Sequence, residues 1–109
     1  MSDSIIGKSS YYNVTTTDVT TISAIDTPQP TSVTLCNYDH SGDDCMVELY
    51  LENSAATNTY RIIHDVIISG GQTLILEHPE LTYDTTTYAL KFKLASVASS
   101  QRVDIKVTY

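Results

Sequence analysis

The sequence predicts an all-β protein, an antiparallel β-sandwich of Ig-like or jelly-roll-like type with seven to eight strands. Three observations carry this. Sixteen Thr and eight Tyr among 109 residues favour extended backbone, because β-branched and aromatic side chains fit a pleated, half-buried surface. Residues 87–95 and 102–109 alternate strictly: Tyr88, Leu90, Phe92 and Leu94 against Lys91 and Lys93, then Val103, Ile105, Val107 and Tyr109 against Arg102, Asp104, Lys106 and Thr108. A period of two over seven or more residues marks a strand with one face in a core and one in water. Turn residues recur every 10–15 positions, and no stretch has the periodicity of a three-turn helix.

In chain order, residues 5–14 read as a first strand or arm with Ile5, Ile6, Tyr11 and Tyr12 as its apolar content. Residues 19–25 form a second strand of mixed alternation. Pro28 and Pro30 then impose a turn, since proline cannot feed a central ladder. Residues 31–38 point Val33 and Leu35 inward. Residues 45–52 point Val47, Leu49 and Leu51 inward and Met46, Glu48 and Tyr50 outward. In residues 59–68, Tyr60, Ile62, His64, Val66 and Ile68 share one phase, with Ile63 and Ile67 in the other. Both faces of that strand are therefore apolar, so it is expected either to be buried on both sides or to meet another subunit with its outer face. Gly70 and Gly71 make a turn that needs positive φ. Residues 72–77 follow, with Leu74 and Leu76 inward, and the stretch from His78 to Leu81 is read as one helical turn.

One domain is expected, with residues 1–14 as an N-terminal arm or first strand and 15–109 as the sandwich. The net charge of −7 is uneven. Residues 1–60 hold eight acids and one base, and residues 61–109 hold five of each. Nucleic acid, which selects basic faces, is not an expected partner. No apolar run is long enough for a transmembrane helix, and the N-terminus lacks the basic and apolar regions of a signal peptide. Folding in a cytoplasm is the expectation. Cys36 and Cys45 flank what reads as a hairpin loop, with Cys36 in the outward phase and Cys45 in the inward one. Opposed residues in an antiparallel pair share a face, so two reduced thiols are expected.

No catalytic residue set is legible. Asp39, Asp43 and Asp44 lack the spacing of a calcium loop, and His40, His64 and His78 lie too far apart for the local spacing of a zinc site. His64 falls in the core phase and is read as an interior histidine. Gly70-Gly71 has no following Lys-Ser/Thr and precedes a strand, unlike a phosphate loop. No metal, no cofactor and no enzyme activity are expected. Tyr11, Tyr12, Tyr38, Tyr50 and Tyr83 fall outside the clear inward phase and suit a protein interface, plain strand packing or a sugar platform.

Residues 30–109 carry an ordered set of signatures: SVTLCNYD, VELYLENSA, TYRIIHDVIISGGQTLILE, then Leu81, Tyr83, Asp84, Thr87, Tyr88 and Leu90, and a closing VDIKVTY. Within the third, Tyr60, Ile62, Asp65, Val66, Ile68, Gly70, Thr73, Leu74 and Leu76 match. This order resembles small β-sandwich virion proteins of tailed bacteriophages, with Gly70-Gly71 standing where Pro-Ala-Gly is commoner. The resemblance implies a non-enzymatic virion component, in first place a capsid decoration protein. A neck, collar or tail accessory protein is the alternative within the virion. A carbohydrate- or receptor-binding module is the alternative outside it. The resemblance further implies capsid, neck or tail proteins as partners, a homo-oligomeric or symmetric multi-copy assembly, and a protein made in the host cytoplasm and carried in the particle. Assembly contacts are expected at Ile5, Ile6, Tyr11, Tyr12, Ile63 and Ile67.

Overall fold

The structure, a computed structural model, describes residues 8–38, 43–96 and 102–109. Eight strands run in order: β1 (Ser9–Val14), β2 (Thr20–Ser23), β3 (Ser32–Asn37), β4 (Cys45–Asn53), β5 (Thr59–Ile68), β6 (Thr73–Glu77), β7 (Tyr88–Ser96) and β8 (Val103–Thr108). They form two four-stranded sheets. Sheet I has the order β1-β8-β3-β6 and sheet II the order β2-β7-β4-β5, with antiparallel neighbours throughout. The fold is thus an all-β antiparallel sandwich, as the alternation predicts.

Connectivity departs from simple hairpins. Of the seven connections, only β4–β5 joins strands of one sheet; the rest cross the sandwich. Cys36 and Cys45 therefore do not flank a hairpin. Cys36 lies on the outer face of sheet I, while Cys45 is buried in the core of the other sheet, and neither forms a disulfide. The separation comes from the crossing, not from hairpin register. Gly71, at φ +80°, likewise turns the chain from β5 in sheet II to β6 in sheet I. Its N–H donates to the Asn37 carbonyl at 2.9 Å.

The core lies between the sheets. Val14, Val33, Leu35, Val103, Ile105 and Val107 of sheet I meet Ile22, Val47, Leu49, Leu90, Phe92 and Leu94 of sheet II. Each such side chain contributes roughly 1.5–3 kcal/mol by leaving water. The stretch from His78 to Leu81 is a single hydrogen-bonded turn. The Leu81 N–H reaches Glu77 O at 3.2 Å and the Thr82 N–H reaches Pro79 O at 3.1 Å, which folds Leu81 into the core. Gln29 fixes this connection by donating to Leu81 O at 2.8 Å and accepting from the Tyr83 N–H at 3.2 Å.

Polar side chains join the sheets at opposite ends. At one end Asn37, fully buried, donates from Nδ2 to Ile68 O at 2.8 Å and to Asp43 O at 2.9 Å. At the other, the Tyr109 hydroxyl bonds Ser23 Oγ at 2.9 Å and the Tyr12 hydroxyl donates to Ile22 O at 3.3 Å. Burial raises the Tyr12 phenol above its ordinary value, and nearby Tyr109 adds to the rise.

In β5 the sequence phase breaks. Val47 pairs with Val66, Leu49 with Ile63 and Tyr50 with Arg61, so β5 carries two residues more than β4 over this span. Asp65 takes φ 53° at the first bulge. Extra residues reverse the facing of what precedes them. Ile62 and Ile63 both pack on the core, and His64 moves to the outer face with its side chain 55% exposed. The expectations of an interior His64 and an outward Ile63 are thus overturned by the bulges.

Two outcomes are expected from these contacts. Asn37→Ala leaves the Ile68 and Asp43 carbonyls without their donor and lowers stability by about 2–4 kcal/mol in denaturant titration; unchanged stability would remove Asn37 as a pin. Ala56→Gly, at φ 56° in the β4–β5 loop, raises stability by up to about 1 kcal/mol, because only glycine adopts that conformation without a steric cost.

Candidate functional site

The two outer faces differ in kind, and the difference starts from which residues stand opposite one another. On sheet II, β4 presents Met46, Glu48, Tyr50 and Glu52 beside Lys93 and Lys91 of β7. Glu48 Oε1 accepts from Arg61 Nε at 2.7 Å and lies 3.1 Å from His64 Nδ1. Lys91 Nζ donates to Glu52 Oε1 at 2.7 Å. The Arg61 guanidinium also stands 5.8 Å from the Tyr50 ring centre. Glu48 and Tyr50 point outward, as their phase predicts, yet both are buried. Long side chains from β5 and β7 close over them.

Desolvation pushes the Glu48 carboxyl up, but the hydrogen bonds from Arg61 and His64 outweigh it and hold it below the usual carboxylate range. Among the described residues, Glu48, His64 and Asp65 form the one group with metal-ligand clustering. Arg61 already sits on the buried oxygen of that group, and His64 Nε2 faces Asp65 Oδ2 at 3.3 Å. The cluster satisfies itself.

Sheet I presents a different outer face. Its rows follow from register: Asn13, Asp104, Cys36 and Thr73 form one, and Tyr11, Lys106, Thr34 and Ile75 the next. Tyr11 is 72% exposed, Ile75 57% and Tyr38 42%. An open depression of about 490 Å³ lies beside Tyr11, lined by it together with Asn13, Thr34, Cys36, Asp104 and Lys106. Asp104 accepts from Asn13 Nδ2 and faces Arg102 Nε at 3.5 Å. Arg102 in turn covers the Tyr38 ring at 4.2 Å. Lys106 is exposed, with no ion pair among the described residues. Aromatic, aliphatic, hydroxyl and cationic groups on a fixed sheet suit contact with another protein surface.

The expected contact residues separate in space. Tyr11 belongs to the sheet I face. Tyr12 points inward to the core and to Ile22. Ile63 packs inward, and Ile67 stands on the outer face of sheet II at 57% exposure. Ile5, Ile6, Asp39 and His40 lie outside the described residues. His78 sits in an exposed turn, with Nδ1 2.7 Å from Thr82 Oγ1, far in sequence from His64. The tyrosines make no shared platform: Tyr50 is buried, Tyr83 and Tyr12 pack on the core, and Tyr60 meets Tyr88 edge-on at 5.6 Å. The sequence reading missed Ile75 as a surface group. Its signal was there, an aliphatic residue in the outward phase between Leu74 and Leu76.

The Glu48 cluster sets a pH dependence. A carboxyl held below its unfolded value contributes stability above the ordinary carboxylate range and loses it as pH falls through the folded value. Melting temperature is expected to drop below about pH 4.5. Glu48→Gln is expected to flatten part of that acid limb and to cost about 1–2 kcal/mol at neutral pH, discounted because Arg61 is half exposed. An acid limb identical to that of the parent would show that Glu48 does not contribute.

No helix among the described residues is long and apolar enough to cross a membrane. No family model matches the chain, and no curated protein matches it.

Proposed function

We propose that the protein is a non-enzymatic structural component of a bacteriophage virion, a capsid decoration protein that attaches by protein–protein contact through the outer face of sheet I. The observation that carries this reading is the open depression on the outer face of sheet I, with an exposed tyrosine at its side. Sheet II pairs Glu48 with Arg61 and Glu52 with Lys91 and exposes Ile67 on its edge strand, whereas sheet I sets exposed Tyr11 and Ile75 in one cross-strand row with an open depression beside Tyr11. Large apolar groups gathered on one face of a small domain mark an interaction site. The likeness of residues 30–109 to small phage virion proteins supplies the setting. The occupant is a shell-protein surface with an apolar centre and a carboxylate for Lys106. Binding to assembled shell in preference to free subunits stabilises the shell by mass action. Dispersal of the tyrosines over several faces favours a protein partner over a sugar.

The protein is expected in mass spectra of purified particles, and purified protein is expected to co-sediment with capsids and to raise their heat resistance. Thr34→Arg, which fills the depression at its centre, is expected to abolish co-sedimentation while leaving melting within about 0.5 kcal/mol of the parent, as for other surface changes. Its absence from particles would overturn the reading.

A further inference from the structure

The edges of the two sheets are built differently. Sheet II ends on β2, four residues long with a register shift, and on β5, which carries two bulges, Asp65 at positive φ, and Arg61 and His64. Short, bulged and charged edges are what keep a sheet from pairing further. Sheet I ends on β1 (SSYYNV) and β6 (TLILE), which have neither bulge, proline nor lysine. Among the described residues each pairs on one side only.

We propose that β6 of one copy pairs with β1 of a second copy, continuing sheet I head to tail. This stands independently of the virion reading, since the contact is between copies of this chain. Orientation permits it: β1 runs antiparallel to β8, β8 to β3 and β3 to β6, so β1 and β6 are mutually antiparallel across the sheet. A second copy placed beside the first with the same face outward therefore meets it with antiparallel strands of five and six residues.

Register follows from the rows. The row Tyr11, Lys106, Thr34, Ile75 begins and ends on exposed apolar side chains. Continuing it places Ile75 directly opposite Tyr11 of the next copy, and an aromatic–β-branched pair is a favourable cross-strand neighbour. The next outward row places Glu77 opposite Ser9 of that copy, adjoining Lys8, so the charges at that end are of opposite sign. The contact uses different surfaces on the two copies, so it repeats into a ring or a filament rather than closing as a dimer. One strand pair buries far less than the ~1,600 Å² of a standard interface, so the free protein associates weakly and the test must trap the contact.

The test is disulfide trapping on the full chain in a Cys36→Ser background at millimolar concentration. Tyr11→Cys and Ile75→Cys are made singly and together. A mixture of the two single variants is expected to give the mixed dimer in excess over either homodimer by about tenfold, and the double variant a ladder of covalent multimers. Ile75→Lys and Tyr11→Lys, at exposed sites that leave the core untouched, are each expected to remove the multimers that chemical cross-linking detects in the parent. Homodimers of Ile75→Cys as the main product would indicate β6–β6 pairing and overturn the proposal. Random products or no products would overturn it equally. Thr34→Arg, on the inner strand β3 and leaving the β1 and β6 edges unchanged, leaves the ladder intact even where capsid attachment is lost, so the two readings fail separately.

Discussion

The side-chain amide of Asn37 reaches out of sheet I to the carbonyl of Ile68, the last residue of β5, and to the carbonyl of Asp43 ahead of β4. Its own backbone carbonyl receives the Gly71 N–H, and its N–H goes to Gln72 O. One residue thus gathers the end of β3, the approach to β4 and the β5–β6 turn. In a dry core such bonds are directional where aliphatic contacts are not, and an unmet donor would be costly. The relative placement of the sheets at that end depends on it. Tyr12 and Tyr109 on Ser23 and Ile22 do the corresponding work at the far end.

With the sheets fixed, the outer faces take their character from cross-strand neighbours. Glu48 with Arg61 and His64, and Glu52 with Lys91, turn much of one face into a layer of internal ion pairs. Such pairs contribute little to stability where they are exposed, but they leave that layer little to offer a partner. On the other face the bases and acids are fewer, and Tyr11 and Ile75 keep their apolar surface in water. Apolar surface is thus exposed on both sides of the domain, as Tyr11 and Ile75 on sheet I and as Ile67 on the edge strand of sheet II.

Much of this was readable from the residues alone. The eight strands, the inward sets of β3, β7 and β8, and the turn at Gly71 follow from alternation and local backbone chemistry. The pairing did not follow, because period two says which residues share a face and nothing about which sheet a strand joins. Cys36 and Cys45 looked like opposite sides of one hairpin for that reason. His64 and Ile63 were misplaced because a bulge inserts residues without leaving a composition signal; Asp65, tolerant of the left-handed region, is its only trace. Asn37 passed as one more polar residue in a strand, though its phase with Val33 and Leu35 placed it in the core. The outer face of sheet I was legible in part, through Tyr11, and its other half, Ile75, was hidden between two core leucines.

The first strand of this sandwich pairs with the last: Ser9 lies against Thr108 and Val14 against Val103. Six of the seven connections cross between sheets, so few stabilising contacts are local, and chains of such topology fold slowly. During synthesis on the ribosome, sheet I can hold β3 and β6 together, but β1 has nothing to pair with until β8 has left the exit tunnel. Its six residues wait through the synthesis of nearly the whole domain. Folding is for this reason a late, all-or-none event, and a nascent chain stalled before β8 would present unpaired strands to every copy around it.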